Sequence, residues 1–372
     1  MKNYRIKITP LTGLHIGSGF EITPIEYKLG TDNAGNRKLL KFSHNKIISF
    51  LDKVKKLELL KLIDESSSNI NALKKVIEFL HDNVKEEDID YSIRVDRSFA
   101  EIYDTKFMDI NNQLIVNQTY RSLKNYKPVI PGSSIKGSIR TAILNYLINN
   151  QYVEVKRYYD FLRKERELQA DKIEKKILKF KDPKNDPLRT LIVEDCEISG
   201  KSTSFVTKLE IYKRKQNRIQ KQHMFYEIIT GELLGGDASG ITHIKIDDDL
   251  LKAPVDGGCF FRNQNLTISL IMQACNSFYK RILKYEEEKF YKNPFIPCGF
   301  DTLKEKIENE IPKNKNRCLL RLGRFSQIES ITFPKDLRNP RTKRGYGNTR
   351  TLALYNGIYY PLGWVKLEIL ES

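Results

Sequence analysis

Two glycine-rich segments and two basic stretches hold most of the side chains in this sequence that could do chemistry. In Leu14-His15-Ile16-Gly17-Ser18-Gly19, a histidine precedes a turn opened by two glycines. A histidine there could act as general acid or base on a ribose 2′-hydroxyl, given a second proton donor and a cationic partner. No second histidine lies nearby in sequence. A hydrogen-bonded structural or RNA-contacting His15 is the competing reading.

The most informative segment is Pro131-Gly132-Ser133-Ser134-Ile135-Lys136-Gly137-Ser138-Ile139-Arg140. Its glycines permit close backbone approach and its serines can cap a following helix. The free N–H groups and positive dipole end of that helix would then offer an anion site beside Lys136 and Arg140. A nucleotide-binding P-loop is excluded, because Gly137 is followed by Ser138 and Ile139 rather than Lys and Ser or Thr. A plain capped loop and helix start explains the same residues.

The positive charge is clustered. Lys201, Lys208, Lys213, Arg214, Lys215, Arg218 and Lys221 face a single acid, Glu210, between 201 and 222. Lys335, Arg338, Arg341, Lys343, Arg344 and Arg350 face only Asp336 between 335 and 350. Like charges at that density call for a counter-anion. Tyr212, Phe225 and Tyr226 near the first stretch, and Gly345-Tyr346-Gly347 within the second, suit RNA: cations hold phosphates while rings stack unpaired bases. A solvated basic loop is the alternative.

Acid and metal chemistry find less support. Asp247-Asp248-Asp249 is the densest carboxylate run, but sequence neighbours point apart and no companion motif exists, so a turn or helix start is expected. The cysteines, Cys196, Cys259, Cys275, Cys298 and Cys318, form no C-x-x-C pair and read as reduced, mostly buried thiols. No metal or cofactor is expected.

The elements that would position these groups follow from periodicity. Tyr4, Ile6 and Ile8 alternate with Arg5, Lys7 and Thr9, a half-buried first strand. A second extended stretch runs from Ile22 to Tyr27. A helix from Ser43 would bury Ile47, Ile48, Leu51, Val54 and Leu57, and another from Ser68 would bury Ile70, Leu73, Val76, Ile77 and Leu80. Ser92 to Phe99 reads as a strand, 128–137 as a loop and Ser138 to Ile148 as a helix. Residues 152–180 read as one long charged helix, solvent-exposed because its charges interleave. Beyond it, strands are expected over 188–198, 205–212, 224–229, 318–322 and 358–370, with a long helix over 266–291.

The whole chain has 372 residues, 64 Lys and Arg, 47 Asp and Glu, and a net charge of +17. That surplus points to a polyanion. No apolar run reaches the roughly 18 residues of a membrane span. The polar N-terminus lacks a signal core, so a cytoplasmic protein without membrane contact is expected. The length suggests two or three domains, with two the central value, and the Pro-rich 181–187 segment divides the chain into 1–185 and 186–372. Each half mixes strands and helices at a scale that fits an α+β split-βαβ, ferredoxin-like module.

The His15–Gly19 turn, the P-G-S-S-x-K-G-x-x-R string at 131–140 and the ending before Pro361-Leu362-Gly363-Trp364 together resemble the RAMP superfamily of CRISPR proteins. Length and ending look most like the subunit that caps the guide-RNA 3′ end in type III-A (Csm) effector complexes. The Arg344-Gly345-Tyr346-Gly347-Asn348 loop departs from the pattern in having few glycines. The resemblance implies two RRM-like modules with helical insertions and a non-catalytic scaffold supporting guide maturation. It implies as partners the guide RNA (crRNA), the RAMP backbone subunit, a small helical subunit and host ribonucleases that trim the guide. The RNA-binding set expected on this basis and from the charge pattern is His15, Gly17, Ser18, Gly19, Ser133, Ser134, Lys136, Gly137, Arg140, Lys213, Arg214, Arg341, Lys343, Arg344 and Arg350. The alternative is a metal-independent endoribonuclease using His15. Backbone siblings cut target RNA with a loop aspartate, for which Asp32 and Asp96 are candidates by class only.

Overall fold

A computed structural model describes residues 1–66, 70–107, 109, 114–165, 167–247, 266–292, 296–311, 315–333, 337 and 347–371. Among these, strands β1 (Lys2–Pro10), β8 (Leu191–Val193), β12 (Gly240–Ile246), β13 (Arg317–Arg321) and β16 (Trp364–Glu371) form a five-stranded sheet. Its order is β13-β16-β1-β12-β8 and every pairing is antiparallel. The alternation seen in the first strand is real: Ile6 and Ile8 are wholly buried.

Helix α5 (Gly132–Asn150) and helix α8 (Ile268–Glu286) share this sheet's core. Ile135, Ile139, Ile143 and Leu147 recur every four residues along α5 and are all buried. The helix begins at Gly132, six residues before the expected Ser138. Glycine in a helix costs roughly 1 kcal/mol, while burying one isoleucine returns about 1.5–3 kcal/mol. The extension adds one fully buried isoleucine, Ile135, which offsets the cost of the interior Gly137, while Gly132 stands at the first helical position; from Gly132 on, the segment is helix rather than loop.

A second, nine-stranded sheet runs β2 (Gly17–Ile22), β6 (Val116–Thr119), β11 (Arg218–Ile229), β10 (Ser204–Lys213), β5 (Ile89–Val95), β4 (Arg37–Phe42), β3 (Tyr27–Thr31). It forks at β10, whose far half pairs instead with β14 (Thr349–Tyr355), which in turn pairs β15 (Ile358–Pro361). A short pair, β7 (Val129–Ile130) and β9 (Cys196–Glu197), precedes and follows the α5 region. Both large sheets draw strands from either side of residue 185. The architecture is α+β, with ferredoxin-like modules and helical insertions.

Several expected elements are divided. The Ser43 helix breaks at Leu51 into α1 (His44–Phe50) and α2 (Lys53–Ser66). Ile47 and Leu51 are buried, whereas Ile48, Val54 and Leu57 are exposed, because α2 turns a different face, Leu59, inward. In α3 (Ile70–Asn83), Val76, Phe79 and Leu80 are buried while Leu73 is not; Ser68 lies outside the described residues. The strand read over Ser92–Phe99 stops at Val95, because Asp96 caps a helix, α4 (Arg97–Lys106), by accepting from the Ser98 N–H at 3.0 Å. The 152–180 segment is two helices, α6 (Tyr152–Lys164) and α7 (Ala170–Leu178). A last helix, α9 (Phe300–Glu310), precedes β13. Cys196, Cys275 and Cys318 are buried thiols, and no described helix is long and apolar enough to cross a membrane.

Candidate nucleic-acid interface

The first turn of α5 does not present a vacant anion site. The Gly132 N–H donates to the Asp195 carboxylate at 2.7 Å, so the chain supplies its own counter-charge at the dipole's positive end. A Cβ at Gly132 would lie 2.0 Å from the Val193 carbonyl oxygen, so this glycine serves packing against β8. Arg140 is also engaged: its guanidinium bonds Glu174 of α7, through Nε at 2.7 Å, and Asp186 at 2.7 Å. Lys136 faces the same Asp186. Burial pulls its pKa down, with Asp186 pulling the other way. Arg140 therefore ties α5 to its own fold and is engaged within the protein rather than free for RNA, while Lys136 stays half-buried beside Asp186.

One turn further along, α5 does open onto a cavity. A cleft of about 430 Å³ is lined by Gly17, Ser134, Gly137, Thr141, Gly323 and Arg324, among others. Its volume falls in the range of roughly 300–1,000 Å³ typical of ligand sites. Among the described residues, no carboxylate lines it. Beneath it, the Ser138 hydroxyl meets the Tyr279 hydroxyl at 2.6 Å and the Arg321 carbonyl at 3.2 Å, locking α5 to α8 and β13. The wall opposite α5 is the Leu322-Gly323-Arg324 turn after β13, held by the Arg324 N–H donating to the His15 carbonyl at 3.1 Å. Arg324 is exposed and lies 5.8 Å over the Tyr226 ring. Sequence reading missed this turn; a glycine beside an arginine directly after a strand was its available signal.

His15 lies behind this wall, 2% exposed. Its Nδ1 is 2.8 Å from the Glu227 carbonyl oxygen, so Nδ1 carries the proton. Tyr226 packs edge-on at 4.9 Å and Phe325 at 6.0 Å. Burial lowers the imidazole pKa, against the pull of Glu227, and favours the neutral ring. The geometry is that of the structural reading, with the His15 carbonyl holding the cleft wall. Ser18 donates to the Gln118 carbonyl at 2.9 Å and Gly19 takes φ +82°, so both shape the turn that carries Gly17. Ser133 is exposed.

The described end of the second basic stretch lies beside the first. Lys213 pairs in register with Thr349, and the Arg214 N–H donates to the Asn348 carbonyl at 3.1 Å. Arg214 covers the Phe290 ring at 5.4 Å. Lys208 is buried against Glu210 at 2.5 Å. Arg341, Lys343 and Arg344 lie outside the described residues, as do Asp248 and Asp249.

Arg350 is corrected: it is 1% exposed and cannot meet RNA. It joins Arg321, Glu286 and Glu329 in a buried, charge-balanced tetrad, with Arg350 Nε and Arg321 Nη1 at 2.7 and 2.6 Å from Glu286. Phe290 lies 3.6 Å under Arg350 and Trp364 lies 4.7 Å from Arg321. Burial alone would depress the Arg350 pKa, but Glu286 and Glu329 reverse this and raise it. Asp32 caps its own turn through Ala34 and Asn36, and Asp96 caps α4. Among the described residues, no group of three His, Cys, Asp or Glu is placed to hold a metal.

The RAMP superfamily sequence profile matches residues 7–293, which takes in the Gly17 turn, all of α5 and most of both sheets. The chain belongs to the RAMP superfamily. Among RAMP relatives, the CRISPR protein Csm5 of Methanocaldococcus jannaschii is 24% identical, over 98% of this chain and 89% of that one. A chain of a type III-A Csm–crRNA–target RNA ternary complex aligns with TM-score 0.67 at 22% identity, covering 99% of this chain and 100% of that one. Csm5 of T. onnurineus aligns with TM-score 0.62 at 20% identity, covering 96% and 99%. These likenesses show that the RAMP fold is shared over the full length.

Proposed function

We propose that this RAMP protein is a non-catalytic RNA-binding subunit of a type III-A CRISPR interference complex, holding the 3′ part of the guide RNA and capping the backbone filament. The observation that carries the reading is the cleft, lined by no acid among the described residues, where Gly17, the Ser134–Gly137 face of α5 and the Gly323-Arg324 turn meet. Backbone at the three lining glycines, Gly17, Gly137 and Gly323, can approach a ribose-phosphate strand closely, the Ser134 hydroxyl can donate to it, and Arg324 supplies charge. Such contacts are sequence-independent, as a guide-binding scaffold requires. Full-length similarity to Csm5, and to a chain of a crRNA-bound Csm complex, supports the same reading. The partners it implies are the guide RNA and the neighbouring RAMP backbone subunit. Its role in guide maturation would be to shield bound nucleotides while other ribonucleases trim the rest.

The test is binding of a labelled 30-nucleotide unstructured RNA by the purified chain across a salt series. Arg324→Ala should weaken binding several-fold and flatten the salt dependence by about 0.7 in log–log slope, one phosphate's share for a single strand. Unchanged affinity in Arg324→Ala would remove the cleft from the interface. For the endoribonuclease alternative, the decisive result is discrete cleavage of repeat RNA in EDTA that disappears in His15→Ala.

A further inference from the structure

The fold sorts charges that alternate along 152–181. Helices α6 and α7 pack together, and between them opens a cleft of about 680 Å³. Lys172, Lys175, Lys176, Lys179 and Lys181 line it, against Glu154 as the one lining acid among the described residues. Lys172, Lys175 and Lys176 stand at i, i+3 and i+4 on one face of α7, and Lys179 follows at its C-cap in the left-handed conformation. Glu167 holds Lys172 at 2.7 Å and Asp171 holds Lys175 at 3.5 Å. Such surface pairs contribute little, so both lysines can turn to a phosphate at small cost. Lys176 lies 5.6 Å over the Tyr158 ring, which stacks with Phe161 at 6.4 Å. Phe161 is 56% exposed.

We propose that this α6–α7 cleft is a second single-stranded RNA site, with phosphates on the lysine row and a base on the exposed Phe161 ring, which stands outside the cleft lining and stacks on the lining Tyr158. A row of cations beside an uncovered aromatic is the pattern that holds unpaired strands without reading sequence. Acidic protein would answer the lysines but would leave the ring pair unused. The two clefts lie about 20 Å apart along α5, from Gly137 to Gln151 at 1.5 Å per residue. The inference shares with the proposed function the class of ligand, and each site is tested by its own variant.

The experiment uses the full chain and a 30-nucleotide oligouridine with a fluorescent label, read by anisotropy from 50 to 300 mM salt. Lys175→Ala/Lys176→Ala/Lys179→Ala should lower affinity about tenfold at 100 mM salt and reduce the log–log slope by about 2, three contacts' worth. The matching Lys→Arg triple should retain binding, separating charge from fold. With 4-thiouridine RNA, cross-links should map to the peptide carrying Tyr158 and Phe161. Full affinity in the alanine triple, with loss only in Arg324→Ala, overturns this site and leaves the glycine cleft standing. Loss only in the triple supports it and removes the glycine cleft. Displacement of the RNA by polyglutamate as readily as by unlabelled RNA would instead assign the row to an acidic protein and overturn the proposal.

Discussion

At the scale of single residues, burial decides which polar groups are available and which are structural. His15 and His81 are both held below the ordinary imidazole pKa, chiefly by desolvation, while carbonyls of Glu227 and Pro24 accept from their rings. In the unfolded chain each would titrate near 6.5. As pH falls, the unfolded state therefore takes up protons first. The stability these rings contribute is complete above about pH 6.5 and is lost on acidification through their folded pKa values. The melting temperature should fall between pH 7.5 and 5.5, and should fall less in His15→Gln. An identical fall in the variant would mean that His15 is not desolvated as described. Gly137 argues a second case. A Cβ there meets nothing within 4 Å, although the position is helical and borders the cleft. Gly137→Ala should therefore raise stability by roughly 0.5–1 kcal/mol yet weaken RNA binding, because the new methyl group stands where the strand would approach. A variant that is both more stable and binds as before would move the RNA elsewhere.

At the scale of elements, the buried tetrad joins β13, β14, the end of α8 and the turn at Glu329. Removing one member leaves a charge without its counterpart in a dry interior. Arg350→Ala should cost about 3–5 kcal/mol, read by urea unfolding, whereas replacing Arg350 and Glu286 together by Met and Gln should cost less than the two single changes summed. Additive losses would show that the four side chains do not act as one unit. The same scale shows what the sequence could reveal. The first strand, 2–10, with its alternation, the 204–213 strand, an apolar-rich stretch buried on both faces, and the long apolar face of α8 were legible, because local pattern reports burial directly. Helix α5 was half legible: its apolar period extends back to Ile135, but two glycines and a proline disguised the first turns as a loop. Helix α4 was missed since Ile93 and Val95 run straight into Asp96, and only the cap geometry separates strand from helix. Of the candidate site, the Gly17 turn and the Ser134–Gly137 face were legible as motifs. The partners of Arg140 and Arg350 were not, because Glu174, Asp186 and Glu286 are brought to them by folding.

At the scale of the whole molecule, the N-terminal strand is the centre of a sheet completed only near residue 370. Lys2 to Ile8 pair with Gly240 to Ile246 on one side, and Arg5 to Pro10 with Val365 to Glu371 on the other. The clamp continues past the strand, where the Trp364 N–H donates to the Thr12 hydroxyl at 3.1 Å and the Gly363 N–H to the Gly13 carbonyl at 2.8 Å. No local pattern could announce partners so distant, and loop closure over such separations makes folding slow. It also bears on the division at residue 185. A fragment of residues 1–185 would expose Ile6 and Ile8 with neither neighbouring strand, while 186–372 would keep β12 with β8 and β13 with β16 as two pairs lacking the strand between them. Expressed singly, neither fragment should give a cooperative thermal transition; produced together, they should associate and regain one. Because β1 also leads directly into the Gly17 turn, RNA binding should return only with that association. A cooperative transition in residues 1–185 alone would show that the N-terminal half carries a core of its own, independent of the strands that flank β1.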